Sequence, residues 1–124
     1  MPRVLIADDE DSMRTLVARA IAMDGHETVT AEDGAEALEI LTREDGAFDL
    51  LLTDIQMPVM DGIALALTVA RDFPDLTILL MTGFADQRER AHGLNAIVHD
   101  VVTKPFSVAD IRTAVADALG APKG

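Results

Sequence analysis

Short apolar runs alternate along the chain with stretches whose apolar residues recur at helical spacing. Val4-Leu5-Ile6-Ala7 is a continuous apolar run, which suits a strand buried on both faces. Beyond Ser12, the expected N-cap, Met13, Leu16, Val17, Ala20 and Ile21 follow a helical period until Gly25 stops it. Residues 27 to 31 read as a second strand, and the polar Glu27, Thr28 and Thr30 place it at a sheet edge. Asp33 and Glu36 form a capping box for a helix carrying Ala37, Leu38 and Leu41. Leu50-Leu51-Leu52 is apolar enough for the middle of a sheet. A third helix follows Asp61-Gly62, with Ile63, Ala66, Leu67 and Ala70 on one side and Pro74 preventing its extension. Residues 76 to 81 make a fourth buried strand. Asp86 and Glu89 cap an expected helix over 86 to 95, but only Ala91 and Leu94 give it an apolar side, so it should pack weakly. A fifth strand near 98 to 102 precedes a last helix, capped by Ser107 and Asp110 and bearing Ile111, Ala114, Val115 and Ala118.

Five strand-then-helix units predict an α/β fold, a doubly wound (βα)5 architecture with a five-stranded parallel sheet. The natural strand order is 2-1-3-4-5, which opens a crevice between the carboxyl ends of the first and third strands. Asp8, Asp9 and Asp54 end those two strands.

Composition narrows the chemistry. At 124 residues and 49% hydrophobic, the chain has the size of one domain with its own core. A formal charge of -12 without a basic cluster argues against direct nucleic acid binding. With no Cys there is neither a disulfide frame nor a thiolate site. Met1-Pro2-Arg3 leads straight into the first strand with no room for a signal peptide, and no apolar stretch reaches membrane-spanning length, so a soluble cytoplasmic protein is expected. Trp and Tyr are absent and only four Phe supply rings, which leaves a flavin- or base-stacking site without its usual parts.

Three carboxylates at one sheet edge cannot stay ionised together without a cation, because a pair about 4 Å apart repels by roughly 4 kcal/mol at an effective dielectric near 20. The donors are all oxygen, which favours Mg²⁺, with Mn²⁺ also suitable, over zinc. Mg²⁺ pairs carboxylates with phosphate oxygens, so a phosphate-like guest is expected. Thr82 ends the fourth strand beside Gly83, and Lys104 supplies a point charge for a phosphoryl oxygen. Asp54, alone on the central strand, is the candidate nucleophile that accepts a phosphoryl group as an acyl phosphate. Taken singly, each signal has a plainer explanation. Asp8-Asp9 can cap a helix, Met57-Pro58 and Asp61-Gly62 are turn chemistry, Thr82 is a β-branched strand residue, and Lys104 is surface charge. His26, His92 and His99 lack metal-ligand spacing and read as surface residues.

Asp8-Asp9, Asp54 followed by Met57-Pro58 and Asp61-Gly62, Thr82-Gly83, and Lys104-Pro105-Phe106 together resemble the receiver domain of two-component response regulators, the CheY-like variant of flavodoxin-like topology. The resemblance covers the whole chain. It implies a receiver over residues 1 to 120, a short tail over 121 to 124 and no output domain. It further implies that Asp54 takes a phosphoryl group from a histidine kinase or a histidine phosphotransfer protein. Mg²⁺ would be held by Asp9, Asp54 and the backbone carbonyl of Gln56, with Asp8 acting mainly through water. Thr82 and Lys104 would bind the phosphoryl group, and a cis Lys104-Pro105 bond is implied. Arg88, Arg90, His99 and Val101 would border the surface that changes, and Phe84 would be partly exposed to a partner. The protein would catalyse only its own modification. Within the family, the segments Ala7 to Arg14 and Thr82 to Ala85 are similar to the CpdR-like group, receivers that control regulated proteolysis in alphaproteobacteria; this implies an adaptor to protease machinery.

Some positions depart from the family pattern. Val101 stands where many receivers carry Tyr or Phe, and Ile97-Val98 replaces the Gly-Ala that commonly opens the fifth strand. A phosphate sink without an output partner is the alternative signalling role. A haloacid-dehalogenase-like phosphatase is disfavoured because Gln56 occupies the place of its general acid, and a flavodoxin-like electron carrier because the aromatics are missing.

The resemblance also implies that Gln56 and Phe84 would flank the phosphorylation site, where access of the hydrolytic water would be set. Gln56→Ala and Phe84→Ala should each change the rate of phosphoryl loss, followed by decay of radiolabelled protein; unchanged rates in both would remove these positions from the mechanism.

Overall fold

The computed structural model describes residues 2–83, 93–94 and 96–120. Five strands, β1 (Arg3–Ala7), β2 (Glu27–Ala31), β3 (Leu50–Asp54), β4 (Thr77–Thr82) and β5 (Asp100–Thr103), form one sheet in the order β2-β1-β3-β4-β5. Every pairing is parallel. Four helices lie among the described residues: α1 (Asp11–Ala22), α2 (Gly34–Arg43), α3 (Gly62–Asp72) and α4 (Val108–Gly120). The expected doubly wound α/β fold is therefore observed. Apart from Gly93 and Leu94, the helix expected over 86 to 95 lies outside the described residues, as do Phe84, Arg88, Arg90 and His92.

Alternation along the strands splits the core in two. Leu5, Ala7, Leu51, Ile78 and Leu80 join the apolar residues of α2 and α3. Val4, Ile6, Leu50, Leu52, Leu79 and Met81 join those of α1 and α4. Each fully buried aliphatic side chain contributes about 1.5–3 kcal/mol, so the central strands β1, β3 and β4 carry the sheet. The edge strand β2 keeps Glu27 and Thr30 exposed, as its polar pattern predicts.

Among the described residues the caps agree with the sequence at two helices, differ at one, and Asp61 adds a cap where the sequence suggested only a turn. The Asp33 side chain accepts from Glu36 N at 2.8 Å, and the Asp61 side chain accepts from Ala64 N at 2.9 Å. Ser107 and Asp110 exchange both bonds of a capping box at 3.0 Å. At α1 the N-cap is Glu10, which makes no side-chain cap bond, and Ser12 lies one residue inside the helix. There its hydroxyl donates to the Glu10 carboxylate at 2.9 Å instead.

Helix faces also shift. In α3 the buried residues are Gly62, Leu65, Ala66 and Val69, while Leu67 is 52% exposed. Apolar residues occupy nearly every position from Ile63 to Ala70, so periodicity alone does not choose the face; docking on the sheet does. Gly62 explains that docking, because its N–H donates to Ile55 O at 2.7 Å and a Cβ there would lie 2.0 Å from the Asp54 carbonyl oxygen. The first turn of α3 thus rests on the backbone of the third strand's last residue.

Gly62→Ala should cost about 1–3 kcal/mol in chemical denaturation through overpacking. Gly120→Ala, where an added Cβ meets nothing within 4 Å, should be neutral or slightly stabilising. Equal stability of the two variants would refute the close-approach account.

Candidate functional site

Strand parity assembles the site. Asp8 continues the face of Val4 and Ile6, Asp54 that of Leu50 and Leu52, and Lys104 that of Val102, all on the α1 and α4 side of the sheet. Because the strands are parallel, these continuations emerge at one rim, over β1, β3 and β5. Lys104 reaches across β4, its own N–H held by Thr82 O at 2.7 Å.

The Lys104 ammonium lies 3.2 Å from Asp54 Oδ1 and 3.5 Å from Asp8 Oδ2. Asp54 Oδ1 also accepts from Ile55 N at 3.0 Å, and Asp8 Oδ1 accepts from Glu10 N at 2.9 Å. Asp8 is fully buried and Asp54 is 7% exposed, whereas Asp9 is exposed. One carboxylate oxygen from each of Asp8, Asp9 and Asp54 falls within a 4.8 Å cluster. The Lys104-Pro105 peptide is cis, in agreement with the resemblance.

Three carboxylates against one ammonium leave two negative charges uncompensated. Burial pushes the Asp54 carboxyl up to about 6 from an ordinary 3.8, with the Asp8 charge adding to the rise and Lys104 opposing it. Burial likewise raises Asp8, against the Glu10 N–H bond and Lys104. Asp8 Oδ2 is buried and has no hydrogen-bond partner among the described residues, with Lys104 at ion-pair distance. A missing double positive charge, oxygen donors and an orphaned buried carboxylate oxygen are what a hard divalent cation relieves. Asp8, Asp9 and Asp54 are the side chains able to hold it.

A cleft of about 510 Å³ opens over this cluster, bordered by Asp9, Asp54, Gln56, Gly83 and Lys104. It admits a small polyoxyanion from solvent. Thr82 is wholly buried at the end of β4, and its neighbour Gly83 forms the cleft wall. The loop leaving Asp54 is tightly braced. Thr53 Oγ1 donates to Asp54 O at 2.9 Å, Gly34 N donates to Met60 O at 3.1 Å, and Val59 takes a φ of 67° despite its branched side chain.

Sequence reasoning missed three lining residues, Glu10, Met13 and Pro105. Glu10 and Met13 sit at the start of α1, whose placement over the rim is a tertiary outcome. Of the expected output residues, Val101 is half-buried, and His99 Nε2 lies 2.9 Å from Asp117 Oδ2 on α4. His26 departs from its expected surface role in having a buried Nδ1 without a hydrogen-bond partner among the described residues.

A family model described as the response regulator receiver domain matches residues 4–116. The chain is 39% identical over 111 residues to the response regulator receiver protein CpdR of Brucella abortus, covering 90% of this chain and 91% of that protein. It is 35% identical over 113 residues to a probable transcriptional regulator, ycf27, of Guillardia theta, covering 91% of this chain but only 43% of that protein. The chain thus spans less than half the length of several transcriptional regulators that it matches. Among solved structures, a CheY-like receiver from Methanospirillum hungatei superposes with a TM-score of 0.86 at 26% identity, over 96% of this chain and 94% of that one. The response regulator TrrA of Thermotoga maritima, solved in complex with Mg(2+)-BeF, gives 0.83 at 30% identity, over 95% of this chain and 99% of that one. No helix among the described residues is long and apolar enough to cross a membrane.

The raised Asp54 pKa carries a stability signature. A folded-state value of about 6 against an ordinary 3.8 means that folding favours the protonated acid. That stability is fully present below pH 3.8 and is lost as the pH rises through 6. In EDTA, Asp54→Asn should therefore be more stable than wild type at pH 7 by about 1–3 kcal/mol and close to it at pH 4. A stability difference that does not grow between these pH values contradicts the burial account.

Proposed function

This chain belongs to the response regulator receiver domain family, and from that premise we propose that Asp54 is its phosphoacceptor, working with Mg²⁺ bound at Asp8, Asp9, Asp54 and the Gln56 carbonyl. The supporting observation is the arrangement around Asp54: a buried carboxylate beside Lys104 and two further carboxylates, facing an open cleft. Mg²⁺, when bound, neutralises charge on the equatorial phosphoryl oxygens. The remaining work falls to side chains. An Asp54 carboxylate oxygen attacks phosphorus in line, a P–O bond forms, and the P–N bond to the donor imidazole breaks. The imidazole nitrogen keeps the electron pair and takes a proton from solvent. Lys104, already 3.2 Å from Asp54, stays as counter-charge to the transferred group, and Thr82 donates its hydroxyl to a phosphoryl oxygen. Positioning and electrostatics account for the whole reaction.

The donor is a histidine kinase or a histidine phosphotransfer protein. The output is a change in protein–protein contact involving His99 and Val101; Phe84, Arg88 and Arg90, which lie outside the described residues, are the further output positions that the family resemblance implies. The similarity to CpdR over nearly its full length supports an adaptor role towards protease machinery. A phosphate sink is the other signalling role compatible with the same site. In either role the protein turns over no external substrate and modifies only itself.

Incubation with a ³²P-labelled phosphotransfer protein should label the chain stoichiometrically, in a manner that requires Mg²⁺ and is abolished by EDTA. Asp54→Asn should abolish labelling, and Lys104→Met should slow it by about 10²-fold or more, as expected when a preorganised charge stabiliser is lost. Labelling of Asp54→Asn at the wild-type rate would end the assignment.

A further inference from the structure

We propose that Arg14 is a positioning residue for the acidic pocket, locking the peptide that joins Asp8 to Asp9 so that both carboxylates face the cation; this rests on the Mg²⁺ reading above. Arg14 lies in the first turn of α1, and its side chain is only 15% exposed. Its Nη1 donates to the main-chain oxygen of Asp8 at 2.7 Å. Its Nη2 pairs with the Asp11 carboxylate and lies 3.7 Å from Glu32 Oε1, in the loop that follows β2. From the other side, Asp8 N donates to Ala31 O at 3.1 Å. Both peptide units of Asp8 are thus held.

The consequence follows from peptide planarity. The Asp8 carbonyl belongs to the rigid plane that carries the Asp9 nitrogen, so fixing that oxygen fixes where the Asp9 Cα and side chain leave the strand. Asp9 is exposed and its side chain makes no hydrogen bond or ion pair among the described residues, so this plane is what sets the direction in which it leaves the strand. The planar guanidinium can bond the carbonyl and a carboxylate at once, which an ammonium on a flexible stem does not reproduce.

Charge and geometry predict opposite signs here. Arg14 is a cation close to a cation site, so a purely electrostatic role means that removing it tightens Mg²⁺ binding. A positioning role means that removal weakens binding, because the ligands lose their preorganisation. Asp11 and Glu32 partly neutralise the guanidinium, which leaves the geometric effect dominant.

Isothermal titration with MgCl₂ of unphosphorylated wild type, Arg14→Met, Arg14→Lys and Asp9→Asn tests this. Arg14→Met should weaken Mg²⁺ binding about tenfold, as for other groups that orient metal ligands. Arg14→Lys should recover little of the loss although it keeps the charge. In metal-free ¹⁵N spectra, shift changes in the Arg14 variants should concentrate at Asp9 and Glu10. Equal or tighter binding by Arg14→Met, while wild type binds and Asp9→Asn does not, overturns the inference and leaves the Mg²⁺ reading standing. If Arg14→Met fails to fold, Arg14→Lys decides alone, and wild-type affinity in it overturns the proposal. Absence of Mg²⁺ binding by wild type overturns both.

Discussion

Uncompensated negative charge at one rim of the sheet is the constraint on which the rest depends. Asp8 and Asp54 are buried where the first and third strands end, and one ammonium is shared between them. The Lys104 charge and main-chain hydrogen bonds keep the arrangement tolerable, but burial still lifts both carboxyl groups above their ordinary range. A fold that holds such groups close together stores a standing demand for positive charge. A hard divalent cation is the species whose charge would answer it.

The surrounding architecture keeps these charges from moving apart. Parallel strands with apolar flanks on both faces fix Asp8 and Asp54 in adjacent registers, since Ile6 pairs with Leu52 and Ala7 with Thr53. The loop after Asp54 is held by bonds from Gly34 to Met60 and from Gly62 to Ile55, both at positions where a side chain would strike backbone. The loop after Asp8 is held by Ala31 and Arg14. Two tightly tethered loops and one strand-end lysine therefore surround a cleft whose fourth wall begins at Gly83. Rigidity on three sides suits a pocket that holds its charged groups in fixed positions.

Much of this was legible in the chain. Continuous apolar runs such as Val4 to Ala7 and Leu50 to Leu52 marked buried strands, and the polar second strand marked the edge, because burial on two faces tolerates no polar alternation. Asp33 and Ser107 announced their helices through short-range hydrogen bonds that need only local geometry. Less legible were features set by docking. Ser12 gave way to Glu10 as the first cap, and α3 turned so that Leu65 and Val69 became its most buried positions, Ile63 and Ala70 packed beside them and Leu67 faced outward. Neither outcome is encoded by period alone when apolar residues lie on every side of a helix.

The order and kind of elements, the strand-end position of each acid and of Lys104, and the net acidity were determined by sequence, since each is a property of neighbouring residues or of their sum. Only the tertiary structure decided that Lys104 crosses β4 to touch Asp54 and Asp8, that one Asp8 oxygen has no hydrogen bond among the described residues, and that Arg14 grips the peptide between the paired acids. These contacts join residues from separate strands and loops at distances of a few ångströms. Such distances depend on how the sheet twists and how α1 settles on it, which involves the packing of the whole core and no single stretch of chain.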